Sequence, residues 1–99
     1  MAEPAYQLET AFVRECAKTY ATEIGFSPEC SASMLAAGIY WPSVHQALRS
    51  GRVVWSDKEA AEETVSIVTG SDCDGDKFRL TLKWAASEYS LLVVSAEQM

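Results

Sequence analysis

Fourteen Asp and Glu residues face eight Lys and Arg in this 99-residue chain, for a formal net charge of -6. The acids are unevenly spread. Seven of them, Asp57, Glu59, Glu62, Glu63, Asp72, Asp74 and Asp76, lie between residues 57 and 76 against Lys58 alone. Residues 1–52 carry a net charge of -1 and residues 77–99 a net charge of +1. Such a concentrated acidic surface steers association with a basic partner. For any single acid, a solvated residue that keeps a turn soluble is the stronger reading, and it weakens for the cluster as a whole. The same balance disfavours direct binding to nucleic acid phosphates or to anionic lipid.

Other residue types offer less. Asp72-x-Asp74-x-Asp76 has the alternation of a calcium loop. An EF-hand starting at Asp72 needs Gly at its sixth position and Glu at its twelfth, where Lys77 and Lys83 stand, so a turn is expected and no metal site. Cys16, Cys30 and Cys73 form no CxxC or CxxH pair, and His45 is the single histidine. Zinc and disulfides are therefore not expected, no cofactor is implied, and free thiols in a reducing, cytoplasmic setting are. His45 has no carboxylate near it in sequence and reads as a helix-surface residue rather than a general base. Lys77, Arg79 and Lys83 alternate, which places them on one face of a strand. A phosphate-binding stripe is one reading and an ordinary solvent face the stronger one, since the neighbouring strand offers no further cation. Tyr40, Trp41 and Trp55 read as core by default, with Trp41, beside Pro42, the candidate for a half-exposed interface anchor.

The elements that position these residues follow from hydrophobic period. Apolar residues make up 48% of the chain and charged residues 22%, a globular balance, and the length suits one domain over 1–99. No apolar run approaches the ~20 residues of a membrane span, and Met1-Ala2-Glu3-Pro4 is unlike a signal peptide. Leu8, Phe12, Cys16, Tyr20 and Ile24 repeat every fourth residue, which predicts a helix from about Ala5 to Ile24 with Gly25 as a left-handed cap. Ser27-Pro28-Glu29 restarts a short helix that ends near Gly38. A third runs from Pro42 to Gly51 and buries Val44, Ala47 and Leu48.

Past Gly51 the period becomes two. Strands are predicted over Arg52 to Ser56, Thr64 to Gly70, Lys77 to Ala85 and Tyr89 to Ala96. Charged or polar turns separate them: 57–63, 71–76 with its Asp-Gly pair, and Ala86-Ser87-Glu88. In the third strand Phe78, Leu80, Leu82 and Trp84 face one way and Lys77, Arg79, Thr81 and Lys83 the other. The short connections imply an antiparallel meander. The expected architecture is α+β: N-terminal helices, about 5–50, packed on one face of a C-terminal meander of three to four strands, about 52–96.

The segment Met34 to Asp57 (MLAAGIYWPSVHQALRSGRVVWSD) resembles the start of small BrnT/RelE-like toxin domains: short helix, Gly-Ile, helix ending Ala-Leu-x-x-Gly, strand. Ile67 to Val94 resembles the strands that follow, and MqsR-like toxins share the order of helices then sheet. The resemblance spans roughly the last two thirds of the chain. It implies a compact α+β fold related to metal-independent ribonucleases, which use basic and His or Tyr side chains on the sheet face. Family members carry a histidine near the position of Cys30 or Ser31 and an arginine before the Gly-Ile pair, where Ala37 stands. Both are missing, and the chain is acidic where such toxins are basic.

Two functions from different classes follow. The first is a small non-catalytic protein-binding module, an inhibitor or antagonist of the anti-CRISPR or immunity type. It would engage a basic protein, with nucleic-acid-binding proteins among the candidates, through Asp57, Glu59, Glu62, Glu63, Asp72, Asp74 and Asp76, with Trp41 as anchor. The alternative is a divergent RelE/BrnT-like ribonuclease toxin using Lys77, Arg79 and Lys83, with His45 as base. A sheet edge that pairs with another chain, including a second copy, is a further expectation.

Overall fold

The computed structural model describes residues 6–19, 24–58, 63–85 and 90–99, with the side chain of Lys58 left out. Helix α1 (Gln7–Thr19) is followed by a three-residue strand β1 (Ile24–Phe26), then helices α2 (Pro28–Ala37) and α3 (Trp41–Ser50). Strands β2 (Arg52–Lys58), β3 (Thr64–Ser71), β4 (Lys77–Trp84) and β5 (Leu91–Gln98) complete the chain. The architecture is α+β, with the helices N-terminal and most of the sheet C-terminal.

Local chemistry accounts for the helix ends. The Ser27 hydroxyl accepts from the Cys30 N–H at 3.1 Å, and Pro28 fills the first turn of α2, where its missing N–H costs nothing. Gly38 ends α2 at φ 71°, which a glycine adopts without strain, and Ile39 N–H closes back on the Met34 carbonyl at 2.9 Å. Val44, Ala47 and Leu48 are wholly buried on α3, at the spacing of one helical face.

Among the described residues the sheet has five strands in the order β1-β5-β4-β3-β2, mixed rather than all antiparallel. β2 to β5 form the expected meander, and β1 adds a parallel edge, with Ile24 opposite Leu91 and Phe26 opposite Val93. This corrects the sequence reading at the first helix. Ile24 belongs to β1, and Gly25 is a strand residue whose φ is not positive. The four-residue period counted Ile24 as the last rung of a helix, but pairing with β5 supplies backbone hydrogen bonds that outweigh one more turn. The expected start at Ala5, the stripe residue Tyr20, and the turn Ala86-Ser87-Glu88 lie outside the described residues. Leu8, the first residue of the apolar stripe, is 83% exposed. Asp57 and Lys58, expected in the charged turn, extend β2.

The three helices cover one face of the sheet. On that face Thr64, Ser66 and Val68 of β3 oppose Trp84, Leu82 and Leu80 of β4, all buried with α1 residues Val13, Cys16 and Ala17. Gly70 permits the closest approach: a Cβ there would collide with the Ala47 carbonyl, so α3 lies almost on β3. Among the described residues the other face carries no helix. It is built in cross-strand rows: Ser71–Lys77, Arg52–Thr69–Arg79–Glu97, Trp55–Ile67–Thr81–Ser95, and Asp57–Val65–Lys83–Leu92. Val65 is nearly buried even there, between its neighbours Asp57 and Lys83.

Candidate functional site

The described acidic residues of 57–76 divide between the two ends of β3. Asp57 is exposed near the end of β2. Glu63 precedes β3, its carboxylate 3.8 Å from Lys83 Nζ, and both are close to half exposed. A pair this exposed contributes little to stability. Glu59 and Glu62 lie outside the described residues. Asp72, Asp74 and Asp76 form the turn at the other end, roughly 24 Å away at the rise of an extended strand. The fold therefore does not merge the two groups into one patch.

The Asp72 turn is organised from within. One Asp72 carboxylate oxygen, Oδ1, accepts from the Asp74 N–H at 2.9 Å and the Asp76 N–H at 3.0 Å. The carboxylates of Asp72, Asp74 and Asp76 lie within 4.8 Å of one another. That closeness is what an aspartate-capped turn produces by itself.

Asp57 has a setting that the sequence did not announce. Together with Glu9 it lines a depression of about 570 Å³ whose other walls are Leu8, Phe12, Ser56, Thr64 and Trp84. Helix α1 supplies Leu8, Glu9 and Phe12, and the ends of β2, β3 and β4 supply the rest. Phe12 stacks on Trp84 with ring centroids 4.4 Å apart. Trp84 Nε1–H donates to the buried Ser66 hydroxyl at 2.9 Å, which holds the indole in place. The depression thus joins a rigid aromatic wall, an exposed leucine and two carboxylates. Glu9 and Leu8 were missed as site residues because 48 positions separate Glu9 from Asp57, and no local pattern links them.

Trp41 is 43% exposed, as expected for an anchor, but it belongs to the helix layer. Its ring stacks on His45 at 4.7 Å and 11°. Trp55 is equally exposed on the open sheet face, beside half-buried Ile67. It was not singled out as an anchor because nothing in the sequence tells which face of the sheet lacks a cover.

His45 is not a free surface residue. Its Nε2 lies 2.8 Å from the Ala17 carbonyl, so the ring N–H ties α3 to the last turns of α1. Lys77, Arg79 and Lys83 do share the open face, as their alternation predicts, and the sheet separates them from His45. The strands beside β4, β3 and β5, carry no Lys or Arg, as expected, and a further cation comes only from one strand beyond β3. Arg52 of β2 stands in the same row as Thr69 and Arg79.

Cys16 and Cys30 are buried and Cys73 is exposed, all three as free thiols. Burial, with a smaller contribution from Glu15, pushes the Cys16 thiol up to about 11, and burial also raises Cys30. Both therefore stay protonated at neutral pH and are poor nucleophiles.

The fold is that of an α+β domain, and no helix among the described residues is long and apolar enough to cross a membrane. No family model, curated protein or solved structure matches the chain.

Proposed function

We propose that this protein is a small binding module that captures a basic protein partner, as an inhibitor or antagonist of the anti-CRISPR or immunity type. One observation carries the reading: the depression in which Glu9 and Asp57 stand beside Leu8, Phe12 and Trp84. Carboxylates next to a fixed apolar wall suit a Lys or Arg side chain whose neighbour on the partner is apolar. The cation finds charge, the apolar group loses contact with water, and each contributes where the other is weak. Glu63 and the Asp72 turn extend the attractive field beyond this point and speed encounter.

The test is retention of partners from a low-salt lysate by the tagged protein, followed by elution with rising salt. A stoichiometric basic protein released by salt is expected. Glu9→Lys with Asp57→Lys should abolish its retention, and Leu8→Asp should weaken it. Unchanged retention by the double charge reversal would overturn the reading. Reversal at Glu62, Glu63, Asp74 and Asp76 should slow association more than it speeds dissociation.

The ribonuclease alternative draws on the row of Arg52 and Arg79 with Lys77 on the open face. Its candidate base, His45, is on the other side of the sheet and engaged with Ala17. Growth arrest on expression, lost when Arg79 and Lys83 are replaced, is the result that would favour it.

A further inference from the structure

A second polar corner lies away from the acidic depression, and it goes beyond the partner-binding reading. Arg14 of α1, Arg52 at the start of β2 and Lys77 at the start of β4 line one depression of about 490 Å³. Ser50, Val54, Thr69, Gly70, Ser71 and Met99 complete it. Arg14 and Arg52 also border an adjoining depression of about 270 Å³ with Gln7, Thr10 and Ala11. The two guanidinium groups thus stand where two hollows meet. Arg79, exposed and in one row with Arg52 and Thr69, adds a further cation nearby.

Arg14 is held for this role. Its Nε donates to the Gly51 carbonyl at 2.8 Å and its Nη2 approaches the Ser50 carbonyl at 3.4 Å. A guanidinium has five N–H donors, so at least three remain for a ligand, in an orientation already fixed. Among the described residues no carboxylate pairs with Arg14, Arg52, Lys77 or Arg79, although the chain has 14 acids.

From this geometry we infer a binding site for the terminal phosphate of a small phosphomonoester. Two arginines and a lysine around one hollow match a dianionic, tetrahedral group, which arginine binds through paired N–H donors. The hollow exceeds the size of a bare phosphate, and Val54 and Met99 offer apolar surface to the rest of the ligand. The acids nearby select against an extended polyanion. Asp76 immediately precedes Lys77, the rest of the Asp72 turn is adjacent, and Glu97 stands opposite Arg79. A single phosphate fits between these charges, whereas a nucleic acid backbone leaving the hollow on either side meets carboxylates.

The experiment titrates the full chain, in phosphate-free buffer of low ionic strength, with inorganic phosphate, phenyl phosphate and a short single-stranded RNA. Amide and Arg Nε–H chemical shifts are followed by NMR. Saturable shifts centred on Gly51, Arg52, Thr69, Ser71 and Lys77 are expected, with phenyl phosphate tighter than inorganic phosphate. Arg52→Gln, on an exposed strand position, should weaken phenyl phosphate by roughly ten-fold, the loss of one charge-assisted pair. Arg14→Gln should weaken it at least as much. Arg49→Gln, on the exposed side of α3 and outside the lining, should leave it unchanged. Because Arg14 also ties down Gly51, Arg52→Gln decides the matter if Arg14→Gln fails to fold. The proposal is overturned by an absence of saturable shifts, by equal weakening from Arg49→Gln, or by RNA binding these residues more tightly than phenyl phosphate.

Discussion

Trp84 and Ser66 form a buried hydrogen bond that holds one wall of the acidic depression: the indole N–H donates to the hydroxyl at 2.9 Å across adjacent strands. Ser66 is wholly buried, and its oxygen also meets the Ser56 hydroxyl at 2.9 Å. Ser66→Ala leaves the indole donor without its partner, at a cost of about 1–3 kcal/mol. For a domain of this size the melting temperature should fall by roughly 4–8 °C for each kcal/mol lost. Ser56→Ala, at a half-buried position, should cost less. Equal losses in thermal denaturation would show that the indole bond is not the source.

The approach of α3 to β3 makes its own prediction. Gly70→Ala places a Cβ against the Ala47 carbonyl and the Gly51 Cα, both backbone that no rotamer change can move. Gly25→Ala meets only the end of Leu92, at 3.8 Å. The first substitution should lower the unfolding free energy measured in urea by an amount typical of overpacking, about 1–3 kcal/mol or more. The second should be within about 0.5 kcal/mol of the parent, as surface changes usually are.

Alkaline pH should weaken the fold through Cys16. Its folded value of about 11 exceeds the ordinary 9.0, so between these pH values the unfolded chain releases a proton that the folded chain keeps. Stability is therefore full below pH 9 and lost as pH rises toward 11, by roughly 3 kcal/mol at most. Cys16→Ala, compared with the parent in urea at pH 8 and pH 10.5, should lose less stability over that interval. An identical loss would exclude Cys16 as the cause. In the same range a maleimide should label exposed Cys73 long before Cys16 or Cys30.

The turn between β3 and β4 depends on Asp72 alone among its three acids. Asp72→Ala removes two hydrogen bonds to backbone N–H groups. In so exposed a turn the cost should be about 1 kcal/mol. Asp72→Asn keeps an acceptor oxygen and should restore most of it. Asp74→Ala and Asp76→Ala should be neutral or slightly stabilising, because each removes a charge from a crowded cluster. Denaturation midpoints of the four variants separate these outcomes.

Several elements were legible because their causes are local. Ser27-Pro28 and Gly38 bracket α2 through a side-chain cap and a positive φ, which only neighbouring residues supply. The alternation of Phe78, Leu80, Leu82 and Trp84 against Lys77, Arg79 and Lys83 read correctly, because a strand turns successive side chains to opposite faces.

What the amino-acid order determined by itself was therefore the run of caps, periods and turns, and with them the α+β class and the distribution of charge. Tertiary structure decided where no local interaction could. Ile24–Phe26 forms a strand because Leu91–Val93 lies beside it, 67 residues later. Leu8 is exposed because α1 meets the sheet through Val13, Cys16 and Ala17 instead. Arg14 joins Arg52 and Lys77, and Glu9 joins Asp57, only once α1 docks against the start and end of β2. Docking of this kind depends on the shape and packing of whole elements, and two residues so far apart in the chain leave no trace of it in their own neighbourhoods.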